Sequence, residues 1–398
     1  MNILCGGDVY IHKKSIFSIE DIEAIIDKHE YFLLNLEAPL VNENQCRPSL
    51  KGGPNLFMNL NALAPLSKFY NKLILSGANN HIGDFGEEGV VSTLRFFQEN
   101  NILNIGCGKN IDEASHPLIL EENIVLLGIA ENEFGMAQEN QSGANPLKIE
   151  ETLINIMNLT KKGYKVIVYF HGGTEELPIP NPFIKRLFKS FIDVGAIAVI
   201  GNHTHCPQGY EHYKDGYIFY SLGNFIFDDR EKTYSFKSQL KQKVRTWIKG
   251  KPLDVKKFWN FGYILSLDIK NNDIDFEIIP VYYQNKKVCL MHGEQKNNFL
   301  NYIEHLSEIY QNEDEYLNLW NSWSNLKSSF IKKRISNFSY INRVFNYQDF
   351  LSFRNQLTCE SHRELLINLN FLIESGQLSN YEDSSQIVKL QNPENFAI

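Results

Sequence analysis

Residues 196–205 read AIAVIGNHTH: an apolar run of strand length, a Gly-Asn step, then two histidines two positions apart. Open α/β sheets bind their ligands just beyond the carboxyl ends of the strands, so a strand that runs into polar residues predicts both fold and site. At extended spacing His203 and His205 would share one side, within reach of one metal ion or of two adjacent ones. Just upstream the pattern recurs. Residues 165–170 read KVIVYF and run into His171-Gly172-Gly173-Thr174-Glu175, whose glycines leave room for a ligand. Strands are also predicted over 2–7, 31–36, 72–76 and 124–129, and Asp8, Glu37 and Asn80-His81 follow three of them. Apolar spacing of helical period predicts helices over 19–28, 86–100, 150–162 and 182–194. The first two-thirds of the chain is therefore α/β.

Each donor alone has a plain alternative. A strand-end histidine can be structural, and Asp8 or Glu37 can be a helix cap or a surface acid. Asp84, three residues before Glu87, reads as the N-cap of the helix over 86–100. Convergence makes the case for a metal: five strand ends offer nitrogen or oxygen donors and none offers a thiolate. Cys206 would point away from His205 if the strand continued. Such a donor set favours Mn²⁺, Mg²⁺, Fe²⁺ or Zn²⁺.

Beyond Gln208 the pattern changes. Runs at 209–213, 217–222, 262–269 and 274–280, with a tight turn at Lys214-Asp215-Gly216, predict a second, more antiparallel sheet. After residue 290 the strands stop, and helices are predicted over 298–310, 313–329 and 363–374, with a frayed tail from Ser379. The chain divides at this level into 1–290 and a helical extension, 291–398.

Composition bounds the rest. Of 398 residues, 43% are hydrophobic and 22% charged, which predicts a packed core. A net charge of −8 gives no global reason to expect nucleic-acid binding. The six cysteines are scattered without a C-x-x-C pair, which fits reduced thiols in a cytoplasmic protein. Neither a signal peptide nor a spanning helix is expected. Residues 230–257 carry ten Lys or Arg and two acids, with Phe236, Leu240, Val244 and Trp247 at helical spacing. That reads as a basic amphipathic helix, either packed on the body or lying against an acidic membrane surface, an anionic polymer or a synthase.

Seven short stretches in order resemble the CapA-like capsule (poly-gamma-glutamate) biosynthesis family, within the calcineurin-like metallophosphoesterases. They are Gly7-Asp8-Val9, Asn35-Leu36-Glu37-Ala38-Pro39-Leu40, Ala78-Asn79-Asn80-His81, Gly106-Cys107-Gly108-Lys109-Asn110, His171-Gly172-Gly173-Thr174-Glu175, Gly201-Asn202-His203-Thr204-His205 and Tyr220-Ser221-Leu222-Gly223-Asn224-Phe225. The resemblance covers about residues 2–285 and implies a two-sheet αββα sandwich. It implies one or two divalent metals held by Asp8, Glu37, Asn80, His171, His203 and His205. It makes His81 the acid that protonates a leaving oxygen, Lys51 an anion contact, and Glu175 and Asn224 supporting or substrate-binding residues. Three departures stand out: Asp8-Val9-Tyr10 lacks the histidine of the superfamily's Asp-x-His, Glu37 replaces an aspartate, and Gly172 replaces an aromatic. The implied activity is metal-dependent, phosphoesterase-like hydrolysis in capsule or surface-polymer biosynthesis, on an anionic polymer or phosphorylated substrate. Hydrolysis of glutamyl amides uses the same parts. A non-catalytic accessory protein that binds the polymer or its synthase is the rival class.

Overall fold

The computed structural model describes residues 1–11, 16–42, 46–228, 247–248, 251–252, 257–270, 273–341 and 347–398. The chain lays down half of one sheet, leaves to build a second, and returns to finish the first. Strands β1 (Asn2–Tyr10), β2 (Tyr31–Leu36), β3 (Leu73–Ser76) and β4 (Leu103–Ile105) run parallel. The second sheet is β5 (Leu118–Ile119), β6 (Ile124–Ala130), β7 (Lys165–His171), β8 (Ala196–Asn202), β9 (Tyr210–Tyr213) and β10 (Gly216–Phe219), in the order β9-β10-β8-β7-β6-β5. Its heart, β6, β7, β8 and β10, is parallel. The chain then returns to the edge of β1 away from β2, with β11 (Asn224–Phe227) parallel to its second half and the antiparallel ribbon β12 (Phe261–Lys270), β13 (Asp273–Gln284) and β14 (Lys287–Leu290) beside its first half.

Alternation along the strands sets the layers. Ile3, Cys5, Leu33 and Ile74 of the first sheet share a core with Val125, Leu127, Ile167 and Val199 of the second. Leu4, Phe32, Leu34, Leu73 and Leu75 face the other way, onto helices α1 (Glu20–Asp27) and α2 (Gly86–Glu99). Helices α3 (Ile149–Lys161) and α4 (Pro182–Asp193) bring Ile156, Leu159 and Phe188 into the core of the second sheet. Parallel strands covered on both faces explain the near-continuous apolar runs in the sequence. Helix α4 shows how local signals agree: Asn181 caps it by accepting from the Ile184 amide at 2.9 Å, and Pro182 starts it. Ile184, Leu187, Phe188, Phe191 and Ile192 make its single buried face.

After β14 the chain is helical: α5 (Gly293–Ile309), α6 (Glu313–Ile341), α7 (Tyr347–Thr358), α8 (Glu360–Glu374) and α9 (Ser385–Leu390). The protein is thus an α/β two-sheet sandwich with helices after it. Phe299, Tyr302, Ile303 and Leu306 of α5, with Trp320 and Trp323 of α6, join the core shared by the two sheets. No helix among the described residues is long and apolar enough to cross a membrane.

Four expectations are corrected. The late strands form no separate sheet: the turn at Lys214 joins β9 and β10 at the edge of the second sheet, and β12–β14 extend the first. Each sheet thus has a parallel heart and an antiparallel margin, because hairpins can only add antiparallel strands while crossovers build the middle. Helix α7 is additional. The tail is docked: Ile387 and Leu390 are buried, and Tyr302 Oη donates to the Leu390 carbonyl at 3.1 Å. Asp84 is not the cap of α2, which Phe85 precedes. The expected basic helix over 230–257 lies outside the described residues, except for a short ladder of Trp247–Ile248 with Lys251–Pro252 and a turn at Lys257–Asn260.

Candidate metal centre

Six parallel strands aim their carboxyl ends at one place. Asp8 sits in β1 where the register to β2 shifts. A Cβ on Gly7 would lie 1.8 Å from the Gly223 carbonyl oxygen, so only glycine lets β1 approach that turn. Glu37 follows β2, Asn80 and His81 follow β3, and Glu131 and Glu133 follow β6. His171 ends β7, and His203 and His205 follow β8.

Asp8, Glu37, Asn80, His171, His203 and His205 are all buried. One donor atom each from Glu37, His171 and His203 lies within 4.8 Å of the others, and the same holds for Asp8, Glu37 and His205. Glu37 belongs to both sets. Asn80 Oδ1 lies 3.1 Å from His171 Nε2, and His203 Nδ1 lies 3.0 Å from the same nitrogen. Three imidazoles, two carboxylates and an amide oxygen, buried together, are a donor set that suits a borderline divalent cation.

The histidine pair converges by a route other than the expected one. Strand β8 stops at Asn202, and His203 (φ 90°) and His205 (φ 55°) both take left-handed backbone, which is uncommon outside glycine. Their rings nonetheless lie 6.0 Å apart, centroid to centroid. The His203 amide donates to Asp8 Oδ2 at 2.9 Å, which ties this strained loop to β1. Cys206 does point away, its Sγ donating to the Leu177 carbonyl.

Supporting contacts orient the donors. Asn224 Oδ1 lies 2.9 Å from His205 Nδ1, which fixes the ring with Nε2 3.4 Å from Glu37 Oε1. Trp259 stacks on that ring at 4.1 Å. Asn35 donates to Asp8 Oδ1 at 2.7 Å and lies 3.0 Å from His171 Nδ1. Burial pushes the Asp8 carboxyl up, but its hydrogen bond and charge interaction with His171, with help from His205, bring it below the usual range. Burial pushes His171 down to about 4, so its ring is neutral and can donate a lone pair.

His81 is buried beside this cluster. Its Nδ1 lies 2.7 Å from Asp84 Oδ2, while Lys51 pairs with Asp84 Oδ1. Lys51, expected to meet an anion, is itself buried, with its ammonium on that carboxylate and 3.5 Å from the Asn80 carbonyl. Burial, then the Lys51 charge, lowers the His81 value. Glu175 is exposed on the loop after His171.

Sequence reasoning passed over Asn35, Glu131 and Glu133 as site residues, and read Asp84 as a helix cap. The two glutamates follow a predicted strand and were open to the rule that found Asp8 and Glu37. Glu131 accepts from the Gly173 amide at 2.7 Å, the Ser361 amide at 2.5 Å and Ser361 Oγ at 2.9 Å. Burial still pushes it up to about 7. A Cβ on residue 172 would lie 2.7 Å from Glu131 Oε2, which accounts for glycine where the resembled family has an aromatic. Glu133 Oε1 lies 3.6 Å from His203 Nε2. Burial pushes Glu133 up, but the charges of His203 and His362 bring it below the usual range.

Comparisons with known proteins bear on the family. The family model described as "Bacterial capsule synthesis protein PGA_cap" matches residues 3–229. The chain is 33% identical over 166 residues to "Capsule biosynthesis protein CapA" of Bacillus anthracis, 39% of this chain and 40% of that protein. It is 30% identical over 213 residues to "PGA biosynthesis protein CapA" of Bacillus subtilis, 52% of this chain and 56% of that protein. A "Probable polyglutamine synthesis accessory protein" of Mycobacterium tuberculosis is 25% identical over 183 residues, 41% of this chain and 48% of that protein. The chain therefore spans about half the length of the curated relatives it matches.

Proposed function

The chain belongs to the bacterial capsule synthesis protein (PGA_cap) family, and on that premise we propose that it is a metal-dependent hydrolase of the phosphoesterase type, acting in synthesis of a capsule or other surface polymer. The observation that carries this reading is Glu37, whose buried carboxylate belongs to both donor sets. One carboxylate shared by two adjacent sets suits two cations side by side. Asp8, Glu37 and His205 would hold one, and Glu37, His171 and His203, with Asn80, the other. Such cations supply Lewis acidity toward a phosphoryl or carbonyl oxygen and activate water at neutral pH.

The chain's own residues then have separate tasks. Asp8 and Glu37 bring negative charge that offsets that of the cations. Asn224 and Asn35 hold the His205 and His171 rings in place. Asp84 holds His81 through Nδ1, leaving Nε2 to exchange a proton with a leaving oxygen. Lys51 pairs with the other oxygen of Asp84 and so steadies the carboxylate that orients the His81 ring. The substrate is a phosphoester or a glutamyl amide of an anionic polymer, since both develop charge on an oxygen beside the centre.

The test is metal content and turnover on the same samples, with phosphomonoesters, phosphodiesters and glutamyl peptides as substrates. His81→Asn should lower turnover by about 10²–10⁴-fold with metal content unchanged. Full metal content with no turnover on any of these substrates would overturn catalysis. The protein would then be an accessory, as the name of the mycobacterial relative states for that protein.

A further inference from the structure

Outside the strand-end donors, the described residues contain one more converging set: Glu133, Cys359 and His362 each offer a donor atom within 4.8 Å of the others. It is assembled from opposite ends of the chain. Glu133 follows β6, whereas Cys359 and His362 stand at the start of α8, three residues apart and so on one face of its first turn.

The details point to a cation. Glu133 Oε2 is taken up by two amides, accepting from Asn80 Nδ2 at 3.2 Å and Asn355 Nδ2 at 3.3 Å. That turns Oε1 toward the Cys359 sulfur, 3.9 Å away. Cys359 is the N-cap of α8 yet makes no capping bond with its side chain. Serine, threonine, aspartate or asparagine is the usual choice at that position. Here the sulfur is fully buried and faces the Glu133 carboxylate. His362 is half-buried, so the set can be reached from its side, and its Nδ1 lies 3.3 Å from the Asn355 carbonyl, a contact that steadies the ring.

We propose that Glu133, Cys359 and His362 form a further cation site, a thiolate–imidazole–carboxylate set of the kind that takes zinc with one position left open. It differs in chemistry from the strand-end centre, where no described donor is a thiolate. Binding transfers the Cys359 thiol proton to solvent, and the cation balances the two negative charges of Cys359 and Glu133. The site would pin the start of α8 to the loop after β6. Glu133 Oε1 also lies 3.6 Å from His203 Nε2, so the pinned loop borders the strand-end centre.

Cobalt(II) reads the thiolate directly. The full-length protein, stripped of metal and titrated with Co²⁺ under reducing conditions, should show a near-ultraviolet sulfur-to-cobalt charge-transfer band. Cys359→Ser should abolish that band and lower bound cobalt by one equivalent. Serine is a preferred N-cap, so this variant should fold, which the far-ultraviolet circular dichroism of the metal-free protein checks. His362→Gln, at a half-buried position, should weaken cobalt binding at the band by at least tenfold. A cobalt-saturated protein without the band, or a band that survives Cys359→Ser, overturns the proposal. Loading of the strand-end centre is read separately in His205→Ala, which lies outside the set: it should lose cobalt while the band remains.

Discussion

The carboxyl edge of the two sheets and the first turn of α8 reach the same place by different means. At the sheet edge, five parallel strands bring donors to one end of the sheets, because parallel strands end together and the crossovers lie behind them. The donors there come in short motifs: Asp8, Glu37, Asn80, His171, His203 and His205. The start of α8 arrives as a plug. Ser361 gives its amide and hydroxyl to Glu131, Glu360 accepts from the Asn132 side chain at 2.7 Å, and Cys359 faces Glu133. The lesson is that a strand-built centre can be closed on one side by residues with no motif at all, provided that a loop such as Glu131-Asn132-Glu133 presents acceptors to a helix start.

The comparison breaks most simply at His203. His203→Ala removes a donor from the set with Glu37 and His171 and should abolish binding of one cation and most turnover. Elemental analysis of the purified variant checks this, and unchanged metal content would show that the strand ends are not the holding element.

Next in size is a pH effect that spans both regions in the metal-free protein. Folding raises Glu131 from 4.5 to about 7, so the folded state holds its proton longer, and stability is lost as pH rises through that window. Folding lowers His171 from 6.5 to about 4, so stability is lost as pH falls through that window. Each linkage is worth on the order of 3 kcal/mol, and they oppose one another. Glu131→Gln removes the first, so stability should climb more steeply with pH between 4.5 and 6.5 than in the wild type. Urea unfolding at several pH values measures it, and equal slopes would show that α8 does not bury an ionisable acceptor.

A smaller change sharpens the role of orientation at the strand ends. Asn224→Ala frees Nδ1 of His205 without removing a donor, and cation affinity should fall by about 10–100-fold. Chelator competition measures it; no change would mean that Trp259 stacking alone holds the ring. The smallest effect is at the plug. Ser361→Ala removes one of three hydrogen bonds to Glu131 and should cost about 1 kcal/mol in thermal unfolding. A cost near zero would show that the backbone amide alone docks α8.

Much of the strand-end half was legible because its physics is local. The strands over 31–36 and 165–170 were readable from apolar runs covered on both faces, and the donors from their place one step beyond. Helix α4 was readable to within a residue because cap, proline and apolar stripe agree. The extended spacing expected at His203 and His205 is replaced by left-handed backbone, which still leaves their rings 6.0 Å apart. The late strands were found, but not their sheet, since strand pairing depends on where the chain returns. Glu131 and Glu133 were missed although the strand-end rule covers them. Cys359, Ser361 and His362 gave no signal: a cysteine before a helix and a histidine three residues on are ordinary in any helical segment.

The sequence by itself determined the α/β alternation, the family and which polar residues stand just beyond the strands, since apolar period and the residue after each strand are properties of neighbours along the chain. Only the tertiary structure decided that Glu37 serves two donor sets, that Asp84 links His81 to Lys51, and that α8 closes the centre from 226 residues beyond Glu133. Those are contacts between segments distant in sequence. They are set by how sheets stack and where a helix docks, and residue spacing carries no record of either.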